Sequence, residues 1–504
     1  MDTESKLSQL LTILNEVDDL IRTKNLLNWD QQTYMPPGGT QGRSNHMATL
    51  TRLAHVKFTS DEVGQLLEEL KPYAQELDPD SNTARLVKVT SRNYTKKVKV
   101  PPEFVAEFAR LTSQAHRVWE EAREESNFEK FRPYLEKIVE MRRRYADFFA
   151  PYDHVYDPLL DDFEPGLKTA DVQAIFSALR PQQVELIQAI TEQPQVDDSF
   201  LHQPFDESKQ EAFGVEVITK YGFDWKRGRQ DRTIHPFTDS LGVGDVRITT
   251  RFMPNYLGSA LFSTLHECGH ALYGQGIDPE LDRTPLGTGA SYALNESQSR
   301  MYENLVGRSR DFWQHFYPRL QEYFPTQLDN IGLETFYKGI NKVEPSLVRV
   351  EADEATYNLH IMLRLELEIA LIEGSLEVKD LPEVWNDRMQ EYLGVVPPND
   401  AIGVLQDVHW SSGMIGYFPT YALGNLISAQ LWERVSADIP DLNAQIRRGQ
   451  FSDLTGWMRA KIHQHGAKFE PKEMVQRITG SLIDPAPYMR YLRRKYGEIY
   501  KVIK

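Results

Sequence analysis

The chain is 504 residues long and has a single cysteine, Cys268, so it can form no internal disulfide. Positive charge is also in short supply: 57 Lys and Arg face 73 Asp and Glu, a formal net charge of −16. Phosphate binding needs a concentrated basic surface, so this balance argues against nucleic acid or an anionic membrane as a partner. The most basic stretch, Arg490 to Lys504, reads as the solvated face of a terminal helix. Long apolar runs are missing as well. Val408 to Trp432 has no formal charge apart from His409, but it contains Pro419, Asn425, Gln430 and several serines, which suits buried protein rather than a bilayer helix. The N-terminus lacks a basic segment followed by an apolar one, and no internal repeat or low-complexity tract is present. Cytoplasm is the expected compartment. With 40% hydrophobic and 26% charged residues, the chain can bury a substantial core.

What is present begins with helical patterning. Leu7, Leu10, Leu11, Leu14, Val17, Leu20 and Ile21 mark one amphipathic helix. Pro102 opens another that carries Phe104, Phe108, Leu111, Ala115 and Trp119, and similar helices are expected over 128–150, 169–191 and 207–221. Breaks are expected at Pro36-Pro37-Gly38-Gly39, Pro101-Pro102 and Pro151. The period changes near residue 231. Val246, Ile248, Thr250 and Phe252 alternate with Arg247, Thr249 and Arg251, a strand pattern, and 231–237 is expected to pair with it across Gly242 and Gly244. Helices return over 290–320, 354–375 and 421–437.

The most informative segment follows that small sheet. His266-Glu267-Cys268-Gly269-His270 is an H-E-x-x-H sequence, which composition alone would produce about 0.03 times in a chain like this. Pro254 precedes it, Leu257, Leu261, Leu265, Cys268 and Leu272 recur at spacings of three and four, and Gly274 and Gly276 close the stretch, which predicts a helix. On a helix, residues four apart share a face, so both imidazoles can reach one metal ion while the leucine stripe packs elsewhere. Cys268 falls with the leucines and reads as core. Two neutral imidazoles leave a zinc ion Lewis-acidic, and Glu267 beside them can take a proton from water, the pattern of a zinc hydrolase. A third ligand is needed, and Glu296, 26 residues past His270 beyond a loop rich in Gly and Pro, fits a second helix that could supply it, although on spacing alone it is one glutamate of many.

Other motifs accompany this one. The chain carries His235-Pro236-Phe237, Asp245-x-Arg247-x-Thr249, Val348-Arg349-x-x-Ala352-Asp353, Gly403-x-x-Gln406-Asp407-x-His409-Trp410 and, upstream, Trp29-Asp30-x-x-Thr33-Tyr34-Met35-Pro36. With the H-E-x-x-H segment, in this order, they resemble the carboxypeptidase Taq family of zinc-dependent carboxypeptidases over most of the chain. The chain is more distantly similar to helical peptidyl-dipeptidases and oligopeptidases. It departs from the family pattern at Asn295, where a histidine is expected before the ligand glutamate, and at Val348, where isoleucine is expected.

The resemblance implies a mainly α, elongated metallopeptidase with a deep central groove and a small β-sheet beside the metal-binding helix. It would form one peptidase domain over 1–504, with an N-terminal helical subdomain (1–230) covering the groove and a catalytic subdomain (231–504). It further implies a homodimer acting on peptides or unfolded chains with a free C-terminus. Zinc, or alternatively cobalt, is expected at one ion per chain on His266, His270 and Glu296, with Glu267 as general base. For the oxyanion, His409 is the leading candidate, followed by Tyr417 and Tyr421, each of which also reads as a core aromatic. For the substrate's terminal carboxylate, Arg349 is favoured over Arg247, which has Asp245 to pair with. His235 is expected to donate to a substrate carbonyl, or else to be a satisfied strand-end histidine. Asp353 and Glu303 are carboxylates available to orient the metal imidazoles. Two alternatives remain: an oligopeptidase of related fold, and a non-catalytic helical scaffold. Glu267 speaks against the scaffold, because binding a metal does not require it.

Overall fold

A computed structural model describes residues 2–502. The N-terminal half is helical. Helix α1 (Thr3–Thr33) starts where the Asp2 carboxylate accepts from the Ser5 N–H at 2.8 Å, and it buries Leu10, Ile13, Leu14 and Val17 at helical spacing. After further helices at Thr40–Phe58 and Asp61–Glu76 comes α2 (Asn82–Val98), then Pro102–Glu124, Phe128–Asp147, Thr169–Thr191 and α3 (Glu207–Tyr221). Proline at the first turn sets Pro102–Glu124, whose Trp119 indole donates to the Leu405 carbonyl at 2.9 Å and so ties this half to the later chain. Among the described residues no helix is long and apolar enough to cross a membrane.

The sheet has three strands in the order β1 (Gly228–Arg232), β3 (Val246–Thr250), β2 (Thr238–Ser240). The expected strand over 246–252 is thus present in its first five residues, but its partners differ from expectation. Gly228–Arg232 pairs with β3 in parallel, and only Thr238–Ser240 pairs antiparallel. The intervening 233–237 crosses from one side of β3 to the other, and Pro236 within it has no N–H to give a ladder. The expected subdomain boundary at 230/231 falls inside β1.

Next comes α4 (Leu257–Gly276), with Leu257, Leu261, Leu265, Cys268 and Leu272 all buried. Each buried leucine contributes roughly 1.5–3 kcal/mol, so the stripe can hold the helix in place while its other face carries polar groups into a groove. The 290–320 region is two helices rather than one. Helix α5 (Tyr292–Arg300) runs into a π-helical turn (Met301–Val306), and a new helix (Arg310–Tyr323) starts where Ser309 accepts from the Phe312 N–H at 3.1 Å. Helices α6 (Tyr357–Glu373) and α7 (Pro419–Asp438) complete the surroundings of the site.

Candidate metal centre and groove

Helices α4 and α5 pack closely at Gly269, where a Cβ would stand 2.6 Å from the Gln298 carbonyl oxygen and 2.6 Å from the Ser299 Cα. A side chain there would push the helices apart, so glycine sets the distance between the two imidazoles and Glu296. The Nε2 atoms of His266 and His270 lie 3.2 Å apart, and Glu296 Oε2 is 3.6 and 3.5 Å from them. Donors at the usual zinc distances on a tetrahedron stand roughly 3.3–3.5 Å from one another.

The groups behind these donors set their orientation. His266 Nδ1 faces Glu303 Oε2 at 2.9 Å and His270 Nδ1 faces Asn295 Oδ1 at 2.9 Å. Each acceptor calls for the proton on Nδ1, which leaves both Nε2 lone pairs aimed at the space beside the Glu296 carboxylate. Three donor atoms converging on one space fit a metal cation. Arg300 joins the layers by donating to Glu296 Oε1 at 2.7 Å and to Glu303 Oε2 at 3.2 Å. Burial pushes the Glu296 carboxyl up, but Arg300 and the two imidazoles outweigh it and hold it well below the carboxylate range. Burial likewise pushes the His270 imidazole down, and the neighbouring carboxylates Glu296 and Glu267 more than reverse this. Asp353, the other expected orienting carboxylate, is spent on its own turn, accepting from the Ala355 and Thr356 N–H groups at 2.8 and 3.1 Å.

The donors open into a groove of about 790 Å³ whose walls include Arg22 of α1, Lys88 and Arg92 of α2, the β2 edge, and Tyr292, Tyr417 and Tyr421. Glu267 lines it too. Its Oε2 accepts from the Thr238 hydroxyl at 2.6 Å, a contact that sequence reasoning missed. No spacing rule reaches from a hydroxyl to a carboxylate 29 residues on.

The remaining candidates divide into those that line the groove and those buried or paired beside it. His409 is buried and is not part of the groove wall, where Tyr417 and Tyr421 stand instead. Its Nε2 lies 3.2 Å from the Tyr421 hydroxyl, and burial pushes its pKa down to about 3, so it is neutral. Arg349 is buried under Tyr421, with its guanidinium carbon 5.0 Å from that ring. Its Nε and Nη2 donate to Asp407 Oδ1 at 2.9 and 2.8 Å and its Nη1 to the Tyr357 hydroxyl at 2.8 Å, so the expected grip on a substrate carboxylate has no free fork to make it. Arg364 of α6 takes the other oxygen of Asp407 at 2.7 Å. Glu368, also of α6, accepts from the Trp410 indole at 2.8 Å and the Gly416 N–H at 3.0 Å. The Gln406-Asp407-x-His409-Trp410 segment is therefore fastened from below by buried carboxyl groups and arginines. Arg247 pairs with Asp245 at 2.8 and 2.7 Å and lies 4.6 Å from the centre of the Trp29 ring, so it too is engaged. His235 is exposed and outside the groove wall, to which Pro236 and Phe237 contribute. Cys268 is fully buried, and burial pushes its thiol far up, in keeping with a core role.

A helical body, a short sheet against an H-E-x-x-H helix, and a His266, His270, Glu296 group that could hold a metal ion are the features of a metallopeptidase. Comparison with known proteins narrows this. The family model for carboxypeptidase Taq (M32) metallopeptidases matches residues 9–496, and the chain belongs to that family. It is 40% identical to Thermostable carboxypeptidase 1 of Thermus thermophilus, across 99% of this chain and 100% of that one. Identity to Carboxypeptidase 1 of Bacillus subtilis is 37%, across 99% and 100%. The crystal structure of the M32 carboxypeptidase from Deinococcus radiodurans R1 superposes with a TM-score of 0.96 at 40% identity, covering 99% of this chain and 100% of that one. The chain is a metallocarboxypeptidase.

Proposed function

We propose that the protein is a zinc enzyme that removes single residues from the free C-terminus of peptides, with His266, His270 and Glu296 holding one ion per chain. The observation that carries this is the convergence of three donor atoms 3.2–3.6 Å apart, with both Nδ1 atoms already satisfied. Zinc held by these residues would supply Lewis acidity for activating water and polarising a carbonyl, and cobalt is the expected substitute. Glu267 takes the proton of the attacking water and passes it to the leaving amine. Tyr421, which lines the groove, donates to the developing oxyanion; burial pushes its hydroxyl up, so it stays protonated. His409 Nε2, 3.2 Å from that hydroxyl, holds it, and the Tyr417 ring packs edge-on against the Tyr421 ring with centroids 5.2 Å apart. The free edge of β2 in the groove can take an extended substrate backbone.

A cation in the groove is a suitable partner for a free C-terminal carboxylate. Arg22, Arg85 and Arg92 are paired with carboxylates and Lys468 donates to Asn82, whereas Lys88 is exposed and has no partner among the described residues. We assign the carboxylate to Lys88, and give Arg349 the task of holding Asp407 and Tyr421. The test is a time course by mass spectrometry on an N-blocked peptide and its C-terminal amide. The acid should yield a ladder of single-residue losses, and the amide should be cut on the order of 10- to 100-fold more slowly. Lys88→Met should narrow that gap and Arg349→Met should not. Equal cleavage of acid and amide would favour the oligopeptidase reading. A homodimer in the cytoplasm completes the proposal, and light scattering should then return twice the chain mass of 58.2 kDa.

A further inference from the structure

The sheet edge does more than line the groove. Strand β2 runs beside the face of α4 that carries Glu267 and, two turns on, Gly274. A Cβ at Gly274 would stand 2.6 Å from the Ser240 hydroxyl and 3.2 Å from Val246, so the absence of a side chain there lets the helix lie against the strands. This approach brings Thr238 to Glu267. The Thr238 hydroxyl lies 2.6 Å from Glu267 Oε2 and 3.0 Å from the Glu267 carbonyl oxygen. One hydroxyl has one proton to give, and a charged acceptor at the shorter distance takes it. The other carboxylate oxygen, Oε1, has no hydrogen bond among the described residues, and Glu267 faces the groove.

We propose that Thr238 is a positioning residue for the reaction: by anchoring Oε2 of Glu267 it leaves Oε1 as the oxygen that takes and returns the proton. The chemistry of the partner suits the task. Glutamate has three side-chain torsions and, on an unsupported helix face, samples several rotamers. Threonine is branched at Cβ and has little freedom of its own. Its backbone is held in the sheet, where Thr238 stands opposite Ile248. A base oxygen is thereby fixed by a rigid element rather than by a loop. The proposal rests on the reading of Glu267 as the base, and the experiment separates the two.

The perturbation is Thr238→Val, which keeps shape and β-branching but removes the hydroxyl, with Thr238→Ser to restore it. On a peptide with a free C-terminus, the valine variant should keep one metal per chain and a KM within about twofold of the parent, while kcat falls ~10- to 100-fold, the scale expected when a reacting group is misplaced by about 1 Å. The serine variant should recover most of that loss. In a Glu267→Gln background, Thr238→Val should cost nothing further, because there is no longer a base to aim. The proposal is overturned if the valine variant turns over like the parent, if serine fails to rescue, or if the same loss adds in full to that of Glu267→Gln. A Glu267→Gln enzyme that retains turnover would instead overturn the base reading itself, and this proposal with it.

Discussion

Replacing Glu303 by glutamine tests the layer behind the metal donors most directly. Glu303 Oε2 accepts from His266 Nδ1 at 2.9 Å and from Arg300 at 3.2 Å, and Arg308 lies 3.7 Å from Oε1. Burial pushes this carboxyl up, but Arg300 and His266 outweigh it and hold it down at about 2, so the group is an anion at any working pH. Glutamine keeps a carbonyl oxygen for the imidazole but turns a charge-assisted hydrogen bond into a neutral one and presents an amide to arginine. Hydrogen bonds to charged groups are worth roughly 1.5–3 kcal/mol and neutral ones roughly 0.5–1.5, so about 1–1.5 kcal/mol is lost before any repulsion is counted. The expected cost in metal affinity is ~10- to 100-fold, the usual range for groups behind a metal ligand. Asn295→Ala, which removes only a neutral acceptor from His270, should cost less, ~2- to 10-fold. Titration of zinc against a chromophoric chelator at fixed pH measures both. A Glu303→Gln protein within about twofold of the parent, or an Asn295→Ala protein that is the worse of the two, would show that charge behind His266 does not govern the site.

Glu267→Gln should retain one metal per chain and the parent's melting temperature while losing ~10²- to 10⁴-fold in turnover; loss of metal would count against its role as base rather than ligand. A chelator should abolish activity, and Zn²⁺ or Co²⁺ should restore it, while iodoacetamide leaves the enzyme intact because Cys268 is buried; thiol sensitivity would reopen the question of a cysteine mechanism. Burial raises the Glu164 carboxyl from 4.5 to about 8, against the pull of the Ala293 N–H that it accepts at 2.6 Å. Neutral in the fold and ionised when unfolded between those values, it withdraws stability as pH rises across that window, on the order of a few kcal/mol. Urea unfolding at pH 5 and pH 8.5 should therefore show Glu164→Gln gaining on the parent at the higher pH, and parallel behaviour would refute the assignment.

The parts of this molecule legible in its sequence are those where one element carries the whole signal. His266 and His270 share a face because they are four apart, the leucine stripe fixes the opposite face, and proline at a first turn announces Pro102–Glu124. The sheet was legible only as a period: alternation marked β3, but nothing local distinguishes a parallel partner at Gly228–Arg232 from an antiparallel one at 231–237. Arg349 shows the harder limit. A sequence displays five donors on a guanidinium without displaying that Asp407, 58 positions later, and the Tyr357 hydroxyl have already engaged its Nε, Nη1 and Nη2. Glu303 and Asp353 likewise look equivalent as available carboxylates, and only the π-helical turn after α5 places one of them against His266.

These cases share a physical cause, and it bears on how the site works. The groups that touch the metal or the groove are few and chemically rare, whereas those that hold them are common residues made specific by burial. Asp407 is held between Arg349 and Arg364, and Glu368 is held by Trp410, Gly416 and the Tyr156 hydroxyl at 2.6 Å. Such buried polar groups are costly to remove from water and are not efficient sources of stability, since well-packed apolar groups can do as well. Their value here is geometric. A loop carrying His409 and leading into Tyr417 and Tyr421 would otherwise be among the more mobile parts of the fold. Two carboxylates, each with several buried donors, fix it to α6, so that a phenol on α7 and the imidazoles on α4 keep one spacing across the groove while substrates come and go.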